Sequence, residues 1–85
     1  MAESHKVTIN NMAFNPASVT ISTGDTVEWT NQMTMDHTVT PDKSEFPSSG
    51  HIKPQATFSH TFSANGSVAY HCQIHPFMKG TVIVT

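Results

Sequence analysis

The chain has no arginine and a single cysteine among its 85 residues. One cysteine excludes an internal disulfide. It also excludes metal sites that need two or more thiolates, namely binuclear copper centres, iron–sulfur clusters and all-cysteine zinc sites. The four cationic side chains are all lysines and the formal net charge is −2, so the sequence contains no basic patch. Binding to nucleic acid is therefore not expected.

Long apolar runs are also missing from the sequence. No run approaches the roughly 20 residues that a membrane-spanning helix needs, and residues 1–5 lack the apolar segment of a signal peptide. If the protein is exported, we expect this chain to be the mature form behind an added start methionine. A chain of 85 residues is predicted to form one domain, 1–85, with a modest core.

Helical periodicity is absent, and most segments instead alternate between apolar and polar residues with a period of two. Turn signals such as Asn65-Gly66 separate these segments. Residues 41–55 are rich in proline, serine and glycine and are predicted to form a long surface loop. The segments expected to form strands are 6–9, 18–21, 26–30, 37–40, 57–62, 67–72 and 81–84. Short strands at this spacing predict an antiparallel β-sandwich or barrel.

Residues 70–80 carry three metal-binding side chains at intervals of three residues: Cys72, His75 and Met78. A thiolate together with a thioether favours copper over harder metals. One further histidine would complete a set of two histidines, one cysteine and a weakly bound methionine, which is the ligand set of a blue-copper electron-transfer centre. The sequence therefore predicts a soft-metal site that needs one more histidine.

Of the other histidines, His37 is the best candidate because it follows a polar loop at the start of a β-segment, where a ligand from a second strand is needed. His71 precedes Cys72 in an alternating segment, so its side chain is expected to point to the opposite face. His60 is likewise expected on the outer face of its strand. His51, in the long loop, is left without an assigned role.

With these residues in place, the chain resembles the cupredoxins. Residues 24–31 (GDTVEWTN), with His37 downstream, resemble the strand and loop that supply the first histidine ligand in that family. Residues 70–80 (YHCQIHPFMKG) resemble the short ligand loop of the amicyanins almost position for position. Residues 12–16 resemble a segment that packs into the core. The amicyanins and plastocyanins are the cupredoxins to which the chain is most similar.

The resemblance implies an all-β Greek-key sandwich of seven to eight mostly antiparallel strands. It implies one type 1 copper bound by His37, Cys72 and His75, with Met78 as the axial ligand and both histidines binding through Nδ1. The implied function is electron transfer by cycling between Cu(I) and Cu(II), in an electron carrier rather than an enzyme. The implied location is the periplasm or another extracytoplasmic compartment.

Three residues near the ligands depart from the amicyanin pattern. Thr38 stands where relatives usually carry asparagine, which places the side-chain bracing between the ligand loops in doubt but leaves a backbone N–H for the Cys72 sulfur. Ile74 stands in place of proline, so its N–H is predicted to give the sulfur a second hydrogen bond and to raise the reduction potential. Asp36, also in place of proline, puts a carboxylate near the metal end and is expected to favour the oxidised site.

The residues after His75 suggest how electrons leave the site. Pro76 and Phe77 flank this histidine, and together with Met35 they are predicted to form an apolar docking patch around a solvent-facing ligand. The expected partners are redox proteins that bind transiently, such as a dehydrogenase, a cytochrome or an oxidase, and the protein is expected to be a monomer.

Other functions remain open at this point. Met33 and Met35 beside His37, together with Met12, would give a periplasmic copper carrier or storage protein extra thioethers near the metal end. The His71-Cys72 pair resembles the wiring of copper nitrite reductases, but a single small domain lacks the further histidines that a catalytic copper needs. A zinc site would have little use for the thioether of Met78.

Overall fold

The computed structural model describes residues 2–85, which form eight strands in two four-stranded sheets. The first sheet has the order β2-β1-β4-β6 and the second has the order β3-β8-β7-β5. The strands are β1 (Ser4–Asn10), β2 (Ala13–Asn15), β3 (Ser18–Ile21), β4 (Thr26–Asn31), β5 (Thr40–Pro41), β6 (Thr57–Thr61), β7 (Gly66–His71) and β8 (Lys79–Val84). The predicted all-β sandwich is confirmed.

The sheets are mixed, with four antiparallel and two parallel strand pairs. The parallel pairs are β1 with β4 and β3 with β8, and the remaining neighbours are antiparallel. Parallel neighbours need a crossover between them. Here the crossover runs through the opposite sheet, because the chain passes from β2 to β3 in the second sheet before it returns to β4 beside β1.

The core is built around Trp29, which lies on β4 and is fully buried between the sheets. Its ring contacts four other aromatic rings at centroid distances between 5.4 and 6.5 Å. Those rings belong to Phe46, Phe58, Phe62 and Tyr70. Aromatic side chains each bury a large apolar area, so this cluster provides much of the stabilisation available to a small domain.

The segment around the first histidine ligand is less regular than predicted. Residues 37–40 do not form a strand; His37 makes one isolated bridge to Ile52, and the short β5 lies at Thr40–Pro41. The bridge consists of two backbone bonds, from His37 N–H to the Ile52 carbonyl at 3.3 Å and from Ile52 N–H to the His37 carbonyl at 2.7 Å.

The predicted surface loop 41–55 also contributes to the core. Phe46 is buried and stacks against Trp29, and Ile52 is buried where it pairs with His37. The buried side chains of Phe46 and Ile52 therefore hold the loop against the sandwich, although the composition of the loop is typical of an exposed surface loop.

The predicted outward position of His60 is wrong. The side chains of Phe58, His60 and Phe62 all lie on the inner face of their segment, because residues two apart in an extended chain share a face. The His60 ring stacks on Phe46 at 4.8 Å and meets the edge of Phe62 at 4.8 Å. Its partial burial lowers the pKa of His60 below the ordinary histidine value.

A close pairing of Tyr70 with Gly80 forms the base of the metal-binding loop. The two residues face each other across β7 and β8, and a Cβ added at Gly80 would overlap the Tyr70 ring. Burial raises the pKa of Tyr70 to about 12. The loop that carries Cys72 and Met78 therefore leaves and re-enters the sheet at a tightly packed point.

Candidate metal centre

Three of the predicted ligands converge just beyond the end of β7. The metal-binding atoms of His37, Cys72 and His75 all lie within 4.8 Å of one another. His37 and Cys72 are completely buried, whereas His75 is only half-buried. Three side chains from two separate segments thus point their donor atoms at one small volume.

The spacing of the donor atoms fits a trigonal metal site. The Cys72 sulfur lies 3.8 Å from Nδ1 of His37 and 3.8 Å from Nδ1 of His75. Metal–nitrogen bonds of about 2.0 Å and metal–sulfur bonds of about 2.3 Å place nitrogen and sulfur about 3.7 Å apart when the angle at the metal is about 120°, close to both observed distances. Both histidines present Nδ1, in agreement with the ligation that the resemblance implies.

Met78 completes the loop that carries two of these ligands. It is buried, with 2% of its surface exposed, and its N–H donates to the His75 carbonyl at 2.9 Å. The Met78 carbonyl in turn accepts from the Cys72 N–H at 3.1 Å. These two backbone bonds close the loop on itself and hold the backbone of the three residues close together.

The buried imidazole of His37 is suited to bind a cation. Burial, and then the neighbouring His75, lower the pKa of His37, so its ring is held in the neutral form whose free nitrogen binds metals. Its Nε2 is buried and has no hydrogen-bond partner among residues 2–85. The ring therefore gains its polar contact through Nδ1, on the side of the convergent site.

Thr38 connects the two segments that supply the ligands. Its backbone N–H donates to the Cys72 sulfur at 3.4 Å, as the sequence predicted. Its Oγ1 accepts a second bond from the Gln73 N–H at 2.8 Å. The doubt about bracing is thus resolved, because the threonine hydroxyl joins the two loops in place of an asparagine side chain.

The predicted hydrogen bond from Ile74 to the sulfur is not formed in the described part of the chain. The Ile74 side chain is 41% exposed, and the bonds that fix the loop come from its neighbours, Gln73 and Met78. The backbone donor to the Cys72 sulfur is the N–H of Thr38. The replacement of proline by Ile74 therefore does not account for the hydrogen bond that the Cys72 sulfur accepts.

Asp36 lies next to the metal end, as predicted, but its charge is paired. Its Oδ2 accepts from His51 Nδ1 at 3.0 Å and from Lys53 Nζ at 3.2 Å. The bond from His51 and then the bond from Lys53 lower the pKa of the Asp36 carboxyl. Neither partner is evident from the sequence, since only the folding of the long loop brings them to this carboxylate.

His71 takes no part in the site, as predicted. Its Nδ1 lies 2.6 Å from Asp42 Oδ1, on the face of β7 opposite to Cys72. Sequence alternation was sufficient to exclude it.

An exposed aromatic side chain lies beside His75, the ligand that reaches the surface. Phe77 is 68% exposed and its ring lies 6.3 Å from the His75 ring. Pro76 is exposed, and so is Met35, which follows the polar loop before His37. The exposure of Phe77 means that this residue does not fold into the core.

Two imidazoles and a thiolate in a closed, buried arrangement, with a methionine in the same loop, define a blue-copper protein of the electron-transfer class. Comparison with known families agrees, since the family described as copper binding proteins, plastocyanin/azurin family, matches residues 1–85. The chain belongs to this plastocyanin/azurin family of copper-binding proteins.

Individual relatives give the same result. The chain is 33% identical to plastocyanin from Scenedesmus fuscus over 86% of this chain and 87% of the relative. It is 36% identical to amicyanin-alpha from Methylorubrum extorquens over 98% of this chain and 73% of the relative. A solved structure of an amicyanin variant in its Cu(I) form superposes with a TM-score of 0.90 at 30% identity, covering 96% of this chain and 82% of the other.

The fold, the site and the family together establish the activity. The protein is an electron carrier with one copper site, whose ligand set is His37, Cys72, His75 and Met78. It exchanges electrons with redox partner proteins, as amicyanins and plastocyanins do. Within residues 2–85 there is no helix long and apolar enough to cross a membrane.

Proposed function

We propose that residues 1–85 act as a single copper-binding domain that passes electrons to and from partners docked beside His75. The observation that carries this proposal is the contrast in burial among the ligands. His37 and Cys72 are fully buried and Met78 is 2% exposed, whereas His75 is half-buried beside the exposed Phe77. The imidazole edge of His75 is the shortest route from the site to a partner on the surface.

The chain's own residues keep the geometry of the site constant. When bound, copper supplies the one-electron couple between Cu(I) and Cu(II). Thr38 and the closed loop from Cys72 to Met78 hold the donor atoms in place through hydrogen bonds, so the two oxidation states meet nearly the same surroundings. Burial of Cys72 excludes water from the sulfur, and no open coordination position is needed for a substrate.

The docking surface is proposed to consist of Met35, Pro76 and Phe77. All three are exposed, and Met35 is 44% exposed although it is a large apolar side chain. A small apolar patch suits brief encounters, because it allows association without long residence. The partner class we propose is a dehydrogenase, a cytochrome or an oxidase, bound transiently by the monomer.

The alternative of a copper carrier or store is disfavoured by the ligand environment. A carrier releases its metal readily, which calls for exposed ligands, but the sulfur of Cys72 is fully buried. Met33, one of the extra thioethers considered from the sequence, accepts the Met12 N–H on its Sδ at 3.4 Å.

We also propose that the protein works in the periplasm or another extracytoplasmic compartment. The support is its membership of a family that includes amicyanins and a plastocyanin described as chloroplastic. Fractionation of native host cells, followed by immunoblotting, tests the proposal. Recovery of the protein with cytoplasmic markers would contradict it.

Addition of Cu(II) to the purified protein separates the proposed functions. An electron carrier is expected to develop an intense thiolate-to-copper absorption in the visible range, a type 1 EPR spectrum and a reversible reduction potential. A carrier or a zinc protein lacks this absorption, and its absence would refute the electron-transfer role.

Docking is tested through the electron self-exchange rate, measured by NMR on mixtures of the Cu(I) and Cu(II) forms. Phe77→Glu places a charge on the surface where two molecules must meet beside His75, so the rate is expected to fall at least about tenfold while the absorption spectrum stays unchanged. Ile83→Glu is the matched control, since Ile83 is 36% exposed on β8, outside the docking surface. Equal effects of the two variants would exclude a local docking surface at Phe77.

A further inference from the structure

A chain of three hydroxyl groups leads from the metal-binding loop to the protein surface. The Gln73 N–H donates to Thr38 Oγ1 at 2.8 Å. Thr38 Oγ1 lies 3.1 Å from Thr40 Oγ1, which lies 2.8 Å from Ser48 Oγ. Ser48 is exposed, so the chain begins beside Cys72 and ends in solvent.

The burial of Thr38 favours one direction for the hydrogen bonds of this chain. Thr38 is buried, with 1% of its surface exposed, and its oxygen already accepts from Gln73. Its own hydrogen therefore needs an acceptor, because a buried hydroxyl without a partner is costly, and the hydroxyl within reach is that of Thr40. A Thr40 hydroxyl that accepts from Thr38 keeps its own hydrogen free to donate to Ser48. Hydrogen bonds aligned head to tail polarise and strengthen one another.

The outer end of the chain is fixed to the segment that carries the first ligand. Beside Ser48, the Ser49 N–H donates to the Val39 carbonyl at 3.0 Å, and the Ser49 Oγ accepts the Val39 N–H at 2.8 Å. Further along, Ile52 pairs with His37. Ser48 is thus held at a defined distance from Thr40 instead of sampling many positions in a free loop.

We propose that Thr40 and Ser48 are positioning residues for the copper site. They orient the Thr38 hydroxyl so that Thr38 can hold Gln73 with its side chain and the Cys72 sulfur with its backbone at the same time. The proposal concerns the rigidity of the site, so it is independent of where partners dock and does not rest on the surface around Phe77.

The consequence of breaking the chain follows from the burial of Thr38. If Thr40 loses its hydroxyl, the Thr38 hydroxyl keeps its bond from Gln73 only by leaving its own hydrogen unsatisfied. Rotation of the Thr38 side chain relieves that cost but releases the Gln73 N–H. The loop after Cys72 then loosens, and the bond from the Thr38 N–H to the sulfur weakens with it.

The test compares Thr40→Val with Thr40→Ser, which restores the hydroxyl. The first readout is amide hydrogen exchange of Gln73, followed by NMR on the metal-free protein. We expect exchange at Gln73 to be about tenfold faster in Thr40→Val and near the wild-type rate in Thr40→Ser, since one hydrogen bond of ordinary strength is lost and regained. The second readout is the reduction potential with copper bound, which is expected to fall in Thr40→Val because the thiolate loses part of its hydrogen bond.

Two further variants make the result decisive. Thr61→Val is the matched control, because it also removes one hydroxyl of a threonine pair. Thr61 Oγ1, on β6, lies 2.7 Å from Thr26 Oγ1 at the start of β4, outside the hydroxyl chain. This variant is expected to change neither readout. Ser48→Ala removes the exposed end of the chain, is tolerated even if Thr40→Val folds poorly, and is expected to shift both readouts in the same direction by less.

The two readouts together either support the proposal or contradict it. Faster exchange and a lower potential in Thr40→Val, both reversed in Thr40→Ser, support the proposal. Unchanged Gln73 exchange and potential in Thr40→Val and Ser48→Ala overturn it, even if stability falls. Phe77→Glu, which tests docking, is expected to leave Gln73 exchange unchanged. The docking proposal and the positioning proposal can therefore fail independently of each other.

Discussion

The backbone N–H of Thr38 donates a hydrogen bond to the Cys72 sulfur at 3.4 Å across a separation of 34 residues in sequence. This bond joins the segment of the first histidine ligand to the loop that carries the other three. A hydrogen bond to a thiolate stabilises its negative charge and lowers its donation to a metal. The Thr38 side chain adds a second link by accepting the Gln73 N–H. One residue therefore contacts both the ligand sulfur and the backbone of the loop that carries it.

The first prediction concerns the Thr38 hydroxyl alone. Thr38→Val keeps the backbone N–H for the sulfur but removes the acceptor of the Gln73 N–H. The free energy of unfolding is expected to fall by about 1–2 kcal/mol, because a half-buried donor is left unpaired. Urea denaturation of the metal-free protein measures this change. Thr38→Asn, which introduces the residue usual in relatives, is expected to recover part of the loss; a Thr38→Val protein as stable as the wild type would show that the brace contributes nothing.

The second prediction concerns the charge of Asp36. Its carboxylate favours the oxidised, more positive site, and Lys53 opposes this effect from 3.2 Å away. Asp36→Asn is therefore expected to raise the reduction potential and Lys53→Gln to lower it. Both shifts should shrink as salt is added, because these groups are solvent-exposed and screened. Potentiometry at low and high ionic strength checks this; shifts of the same sign in the two variants would contradict it.

The ligand set could be predicted from sequence because three of its members lie in one loop. The spacing of Cys72, His75 and Met78 is itself the chemical signal, and β-alternation was enough to exclude His71. His37 could be chosen as the remaining ligand because the site needs a histidine from a second segment and His37 follows a polar loop at the predicted start of one. Local sequence pattern and metal chemistry were therefore sufficient to predict the ligand residues without any knowledge of long-range contacts.

The surroundings of the site could not be predicted in the same way. His51 and Lys53 meet Asp36 only because the loop 41–55 folds back, and no periodic pattern encodes that fold. The hydroxyl of Ser48 reaches Thr40 for the same reason. His60 is a different case, since correct use of the period of two would have placed it on the inner face beside Phe58 and Phe62.

The third prediction tests the base of the metal-binding loop. Gly80→Ala introduces a Cβ that would lie 2.8 Å from Cε2 of Tyr70 and overlap other ring atoms. The free energy of unfolding is expected to fall by about 1–3 kcal/mol, the usual cost of overpacking. Chemical denaturation gives this value. In a Tyr70→Val background the same change should cost much less, because the ring that it meets is gone. Equal costs in both backgrounds would exclude the clash as the cause.

The fourth prediction concerns Asp25 and acid stability. Hydrogen bonds from the backbone of Glu3, from His5 and from the backbone of Ser22 lower the pKa of Asp25 to about 2, from an ordinary value of 3.8. Because the folded pKa lies below the unfolded one, the unfolded state binds more protons between these values. The stabilisation by Asp25 is therefore complete above about pH 4 and is lost as the pH falls toward about 2.

Asp25→Asn removes this titration while keeping the size of the side chain. At pH 7 the variant is expected to be less stable than the wild type, since a neutral amide replaces the carboxylate that Glu3, His5 and Ser22 contact. The difference should narrow as the pH falls from about 4 to about 2, where the wild-type carboxylate becomes protonated. Urea denaturation of the metal-free proteins at a series of pH values measures the difference directly, without interference from acid release of copper. A difference that stays constant over this range would mean that the charge of Asp25 does not contribute to the free energy of unfolding, and that the contacts of Asp25 stabilise the fold through their geometry alone.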